Sequence, residues 1–312
     1  DSFSVVPYQG GSVSIKLSGY LFTDATASVT AIDPDVPVLY VNSSGSGSGT
    51  NLVAITSTDV NDGNLVVGQK STLSFYVLSS AVSSGDVVSI TDNGGTSYTA
   101  TKATGTGSSI EVKGNTYNKY TVTYTVPAGT EGISKGYDNQ FKVYIKAGSA
   151  APVVKGSFTI PVYGIKLGDK LTSVSFETNK YYVIQNNSTN RHLYNKESNN
   201  ATDILKDSYD FSSLVKFGNT ASTSNVAFVN VGSTTPYYLY GSANYYGGSV
   251  SLNTTQYNWT ITDNFRFSSI FSWYSTTYYY IFDNSGTIST SSSSPTSATR
   301  YWNIYLVTFV AP

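Results

Sequence analysis

The stretch that decides the fold runs from Tyr237-Tyr238-Leu239-Tyr240 through Val250-Ser251-Leu252 to Trp259-Thr260-Ile261. Apolar and polar residues alternate at period two, which sends successive side chains to opposite faces of a strand. Gly, Asn and Thr fill the gaps, as turns between strands require. The same order recurs on either side. Tyr181-Tyr182-Val183-Ile184, His192-Leu193-Tyr194 and Val215-Lys216-Phe217 precede it, and Tyr278-Tyr279-Tyr280-Ile281, Thr287-Ile288-Ser289 and Trp302-Asn303-Ile304 follow it. Phe176, Phe228 and Phe267 each end a strand ahead of the tyrosine segment. The last segment recurs 44 residues on, from Val215 to Trp259, and again 43 residues on, at Trp302.

Working outward, the first half alternates too, with strands expected near 12–17, 28–32, 38–41, 52–56, 72–78, 87–91, 98–102, 110–113, 120–126, 141–147 and 154–162. Asp92-Asn93-Gly94-Gly95 and Val126-Pro127-Ala128-Gly129-Thr130 are the clearest turns between them. Helical periodicity is nearly absent, so the class is all-β. Residues 43–50, Ser-Ser-Gly-Ser-Gly-Ser-Gly-Thr, read as a linker or a long hairpin tip. Three regions are expected: a strand-rich N-terminal extension over 1–50, a β-sandwich over 51–164 and a third region over 165–312. The extension is too short to hold a sandwich unaided, so its strands must pair with something else.

A four-strand unit repeating at this period cannot bury its apolar face alone, and three of them close into a capped barrel. Residues 166–310 therefore resemble the ricin-type β-trefoil family, with residues 198–208 as an insertion in the first unit. Phe176, Phe228, Phe267, Phe217, Trp259 and Trp302 are the expected trefoil core. Ricin-type lectins carry Gln-x-Trp in each repeat; here Gln256-Tyr257-Asn258-Trp259 is one residue too long, Arg300 precedes Trp302, and Phe217 stands in the first unit. Sugar-binding positions are therefore not carried over, although tyrosine faces suit the apolar side of a sugar ring. The region from Gly68 to Val162 resembles an immunoglobulin-like sandwich without the Cys pair and Trp of antibody domains.

Composition narrows the function classes. Of 312 residues, 12 % are charged and the net charge is −1, about half the roughly 25 % charged residues usual in soluble domains. No basic excess exists to neutralise phosphates, so nucleic acid is not an expected partner. No apolar run approaches the roughly 18 residues of a membrane span. Cys and Met are absent, which removes disulfides, thiolate chemistry and the most oxidisable side chains. The chain begins at Asp1 rather than Met, the pattern that a cleaved export signal leaves. The expected location is extracellular, on a cell or virion surface. Sequons at Asn42, Asn186, Asn187, Asn200, Asn253 and Asn258 are candidate glycosylation sites.

Catalytic signals are lacking. His192 is the single histidine, so neither a multi-His metal site nor a pair of histidines is available. No Gly-x-Ser-x-Gly elbow or phosphate-cradling Gly-rich loop occurs. Nothing selects a carboxylate pair from the four Glu and fifteen Asp. Asp59, Asn61 and Asp62 resemble the start of a calcium loop, but the Gly comes early and the closing Glu is missing. Neither enzymatic activity nor a cofactor is expected.

Two functions fit. The first is an extracellular structural subunit that self-assembles into a filament, pilus or surface coat. Phe3, Val5, Val13, Ile15 and Leu17 alternate like a strand that inserts into a neighbouring copy; in this the chain resembles donor-strand filament proteins, archaeal threads and surface-layer proteins. The second is an adhesin whose trefoil binds glycans on a sandwich stalk.

Overall fold

The computed structural model describes residues 11–19, 22–31, 39–40, 65–112, 114–231, 233, 235–244, 247–262, 265–270, 278–292 and 298–312. Regular structure among them is strand apart from three short 3-10 turns, Ser79–Ala81, Phe211–Ser213 and Ala298–Arg300. The chain is an all-β sandwich of antiparallel sheets; Val162 and Tyr163 add a parallel pairing with Leu65 and Val66. Two compact units are present, assembled from interleaved segments. One takes Asp1–Ala54, Ser74–Thr121 and Phe141–Phe158; the other takes Ile55–Leu73, Val122–Gln140 and Thr159–Pro312.

In the first unit, Leu39–Tyr40 pairs with Tyr76 and Val77, and Thr101–Lys102 pairs with Tyr120 and Thr121. Val87–Thr91 pairs with Tyr137–Lys146 on one edge and Ser97–Thr99 on the other. Alternation decides which residues turn inward: Phe141, Val143 and Ile145 are buried while their neighbours are not. Phe75 and Phe158 meet at 6.1 Å and Phe141 and Phe158 at 5.2 Å between ring centroids, bringing aromatic faces together from separate strands.

At the N-terminus, Gly11–Gly19 pairs antiparallel with Phe22–Ala31. The register sets Val13 opposite Val29, Ile15 opposite Ala27 and Leu17 opposite Ala25, alternating with the polar pairs Ser12–Thr30, Ser14–Ser28 and Lys16–Thr26. Among the described residues this hairpin pairs with no third strand.

Three four-strand repeats build most of the second unit. The first strands are Tyr182–Asn186, Thr223–Phe228 and Arg266–Ile270, and the fourth strands are Val215–Phe217, Asn258–Thr262 and Trp302–Val310. First and fourth strands alternate as neighbours, and Trp302–Val310 returns to pair with Tyr182–Asn186. Second and third strands form a hairpin in each repeat: His192–Leu193 with Leu205–Lys206, Tyr237–Asn244 with Gly247–Asn253, and Tyr278–Asn284 with Thr287–Ser291.

The register repeats as well. Ile304 faces Ile184, Phe217 faces Val226 and Ile261 faces Phe267, and all six belong to one buried cluster with Leu193, Leu239 and Ile281. Tyr182 and Ile184 point into this cluster while Val183, between them, joins a second one with Val66, Ile165, Phe211 and Val307. A strand covered on both faces reads as an unbroken apolar run, as here.

The structure corrects the expected strand order of the first repeat. Tyr181-Tyr182-Val183-Ile184 belongs to a first strand, and the second is His192–Leu193, which had been expected as the third. Phe176 lies in no strand, between Val153–Lys170 and Tyr182–Asn186, and fills the core by stacking on Phe217 at 3.7 Å. Alternation is identical in ring strands and hairpin strands because both turn one face to the same core, so only pairing partners separate them. The segment expected as an insertion ties the repeats together: Asn200 N–H donates to Leu252, Leu252 N–H to Ala201, and Ile288 N–H to Thr202.

Candidate functional site

A cleft of about 580 Å³ opens in the second unit, lined by Lys170, Leu171, Thr172, Asn187, Phe265, Tyr301, Trp302 and Asn303. Four separate stretches build it. Lys170 ends the long strand Val153–Lys170, and the following turn is tied to the last strand by the bond from Leu171 N–H to Ile304 O at 2.9 Å. Asn187 follows Asn186, whose Oδ1 accepts from the N–H groups of Ser188 and Thr189 and whose Nδ2 donates to Thr299 O at 2.6 Å. Asn187 N–H then donates to Tyr301 O at 2.9 Å, joining two walls. Trp302 is held from behind by its indole N–H, which donates to Ile281 O at 3.4 Å.

Two features set the cleft apart. Phe265 is buried yet adopts φ +51°, a left-handed backbone that costs a non-glycine residue about 1–3 kcal/mol and is held only where the surroundings impose it. Asn303 is 8 % exposed, and its Oδ1 is shielded from solvent with no hydrogen-bond donor. Its Nδ2 reaches Gln185 Oε1 only at 3.5 Å, while Tyr305 OH donates to that same oxygen at 3.1 Å. Among the described residues the lining offers amides, hydroxyls, aromatic rings and the exposed Lys170 ammonium, and no carboxylate. The described lining holds no acid–base pair.

Titratable groups gather elsewhere in the unit. His192 is buried with Nδ1 unpartnered, its ring edge-on to Tyr209 at 5.6 Å. Burial pushes its pKa below the ordinary imidazole value, and the nearby Lys206 charge pushes the same way. Burial also lowers the Lys206 pKa, opposed by Asp210, to which its ammonium donates alongside Ser212 Oγ. The buried Asp283 accepts from Thr189 Oγ1 and Gly286 N–H and lies 3.6 Å from Arg191. These contacts clamp the turn after one first strand to the hairpin of the third repeat. Among the described residues no three His, Asp or Glu side chains are arranged to hold a metal ion.

The residues singled out from sequence fall as follows. Trp259, Trp302, Phe176, Phe217, Phe228 and Phe267 lie in the large buried cluster. Val13, Ile15 and Leu17 lie in the N-terminal hairpin, paired within their own chain. Phe3, Val5, Asn42 and the calcium candidates Asp59, Asn61 and Asp62 lie outside the described residues. Asn187, Asn200 and Asn258 are exposed and Asn253 is half-buried. Asn186 is corrected as a glycosylation candidate: it is 0 % exposed and its amide is consumed by the turn it caps. No helix among the described residues is long and apolar enough to cross a membrane.

Sequence reasoning missed the cleft, because Asn303, Phe265 and Lys170 carry no motif and come together only through strand pairing.

No family model matches the chain. No curated protein matches it either. Among solved structures it is similar to an uncharacterized protein from Listeria monocytogenes EGD-e, at 14 % identity and TM-score 0.22, over 73 % of this chain and 18 % of that one. It is similar to a cycloalternan-forming enzyme from Listeria monocytogenes in complex with a pentasaccharide substrate, at 13 % identity and TM-score 0.22, with the same coverage of 73 % and 18 %. The uncharacterized protein in complex with α-D-glucose, β-D-glucose, magnesium and calcium gives 15 % identity and TM-score 0.25 over 78 % and 23 %. The chain thus spans about a fifth of the length of these structures. The expectation of no enzymatic activity is corrected here. One of the structures it is similar to is an enzyme in complex with its pentasaccharide substrate.

Proposed function

We propose that this chain is a carbohydrate-recognition protein acting outside the cell, and that residues 165–312 form a β-trefoil-like sugar reader. The observation that carries this reading is the placement of tyrosines on the repeat hairpins. Tyr238 and Tyr240 on Tyr237–Asn244 are half-buried around the buried Leu239, and Tyr278, 48 % exposed, and the half-buried Tyr280 precede the buried Ile281 on their strand. A ring fixed at its base with one face in solvent is a platform for the apolar face of a pyranose, and tyrosine supplies it at low entropic cost. With so few charges on the chain, hydroxyl–hydroxyl recognition meets little competing electrostatics.

A glycan array probed with the full chain tests the reading. Binding to a defined set of sugars, reduced in the Tyr238→Ala and Tyr278→Ala variants, supports it; a blank array removes it.

A second reading, a self-assembling filament, pilus or coat subunit, is favoured by one feature. The N-terminal hairpin has no third strand among the described residues, and an uncovered strand edge invites a second copy. Fibres that form with rising concentration and vanish on deleting residues 1–18 support it; a monomer at all concentrations overturns it.

A further inference from the structure

We propose that the cleft between Lys170 and Asn303 binds a sugar ring bearing a carboxylate, of the uronic-acid class, a site separate from the hairpin tyrosines. This rests on the carbohydrate reading above and names a ligand within it. Three observations converge on the assignment.

The first is electrostatic. Lys170 is exposed at the cleft and forms no ion pair among the described residues, and none of the described lining residues is acidic. Arg266 adds positive charge behind the wall, its guanidinium 5.8 Å from the centre of the Tyr301 ring. In a chain with net charge −1, a pocket whose described lining carries a cation and no carboxylate favours an anionic ligand. An ammonium–carboxylate hydrogen bond is about twice as strong as a neutral one.

The second is the unmet acceptor. A buried amide oxygen without a donor costs about 1–3 kcal/mol, and Asn303 Oδ1 is in that state on the cleft wall. That oxygen is shielded from solvent and the amide's contact with Gln185 is a weak 3.5 Å, so a ligand hydroxyl meets Oδ1 once the amide turns toward the cleft. A sugar supplies hydroxyls at the spacing of vicinal carbons, so Asn187 and Thr172, on neighbouring parts of the wall, take the next ones.

The third is the fixed aromatic wall. Tyr301 lines the cleft half-buried, beside the buried Trp302 and Phe265, the latter locked in left-handed backbone. Local strain of this kind concentrates where a surface must hold one shape for a ligand, and the partly exposed Tyr301 ring suits a pyranose face.

The test uses the full chain and calorimetric titration with glucuronate, galacturonate and mannuronate, each against glucose, galactose or mannose as its neutral parent. At least one acid is expected to bind about tenfold or more tightly than its parent. Lys170→Gln is expected to remove that preference, bringing the acid to the affinity of its neutral parent. Asn303→Asp, nearly isosteric, places a like charge against the ligand and is expected to weaken acid binding by at least tenfold, with the far-ultraviolet circular dichroism unaltered. Perturbation of the Trp302 indole N–H resonance by the acid, absent in Lys170→Gln, locates the site. No preference for any acid, or full preference retained in both variants, overturns the inference. If Tyr238→Ala and Tyr278→Ala abolish sugar binding while Lys170→Gln and Asn303→Asp change nothing, the carbohydrate reading stands and the cleft assignment falls. If the wild-type chain binds no sugar, both fall.

Discussion

A methyl group at Gly164 would lie 2.5 Å from backbone atoms of Lys135, and one at Gly136 would lie 2.4 Å from Val310 O. Neither neighbour is a side chain that swings away, so two backbone segments approach closely only because these positions lack Cβ. Gly164→Ala is expected to cost about 1–3 kcal/mol, the range for overpacked sites, read as a lower urea midpoint at unchanged slope. His192 gives a pH signature. Its pKa is lowered in the folded state, so below the unfolded value near 6.5 the unfolded chain takes a proton that the buried ring refuses. Stability is expected to be flat above about pH 6.5, to fall as pH drops, and to level off below the lowered folded value. Urea unfolding from pH 8 to 4 measures it, and the single imidazole Hε1 resonance should titrate at the lowered value. At this scale the sequence says little about roles. Asn186 carries a sequon like Asn187, yet one is buried and the other exposed, because a cap is defined by the turn and by Thr299, 113 residues away.

Strands were the most legible elements. The period-two runs expected at 72–78, 87–91, 110–113 and 141–147 overlap Lys70–Leu78, Val87–Thr91, Ser109–Val112 and Tyr137–Lys146, since alternation is the direct consequence of one covered face. The order within the first repeat was not legible. His192–Leu193 and Leu205–Lys206 are two residues each, too short for a pattern, and the tyrosines of the adjacent ring strand imitate those of the later hairpins. Element ends offer a graded test. Trp259 donates its indole N–H to Leu239 O at 2.8 Å and Trp302 to Ile281 O at 3.4 Å, each from a fourth strand to the second strand of its repeat. Trp259→Phe is expected to lose more stability than Trp302→Phe, by roughly 0.5–1 kcal/mol from the shorter bond, in parallel thermal melts. Asp210 caps the 3-10 turn Phe211–Ser213 by accepting from Ser212 N–H, in a capping box with Ser213. Asp210→Ala is expected to cost about 0.5–2 kcal/mol, and more if the Lys206 ammonium is left without its carboxylate.

Across the whole molecule, apolar burial dominates and ionic contacts are sparse. Pairs such as Lys135–Glu131 and Lys196–Asp203 are exposed and contribute little. The unfolding free energy is expected to change by less than about 1 kcal/mol between 0.05 and 1 M sodium chloride; a larger salt dependence in chemical denaturation would show that charge matters more than this. The all-β class follows from composition and period. The cleft does not, because Lys170, Asn187, Phe265 and Asn303 span more than 130 residues of sequence and meet only when distant strands find their partners.

That dependence reaches back to the ribosome. Strand Tyr182–Asn186 waits for Trp302–Val310, its partner along five registered residues, and at 5–20 residues per second the nascent chain takes roughly 6–24 s to deliver it. Through that interval the edge of Tyr182–Asn186 that meets Trp302–Val310 stands unpaired, and an unpaired β edge is a template for association with another chain until translation ends.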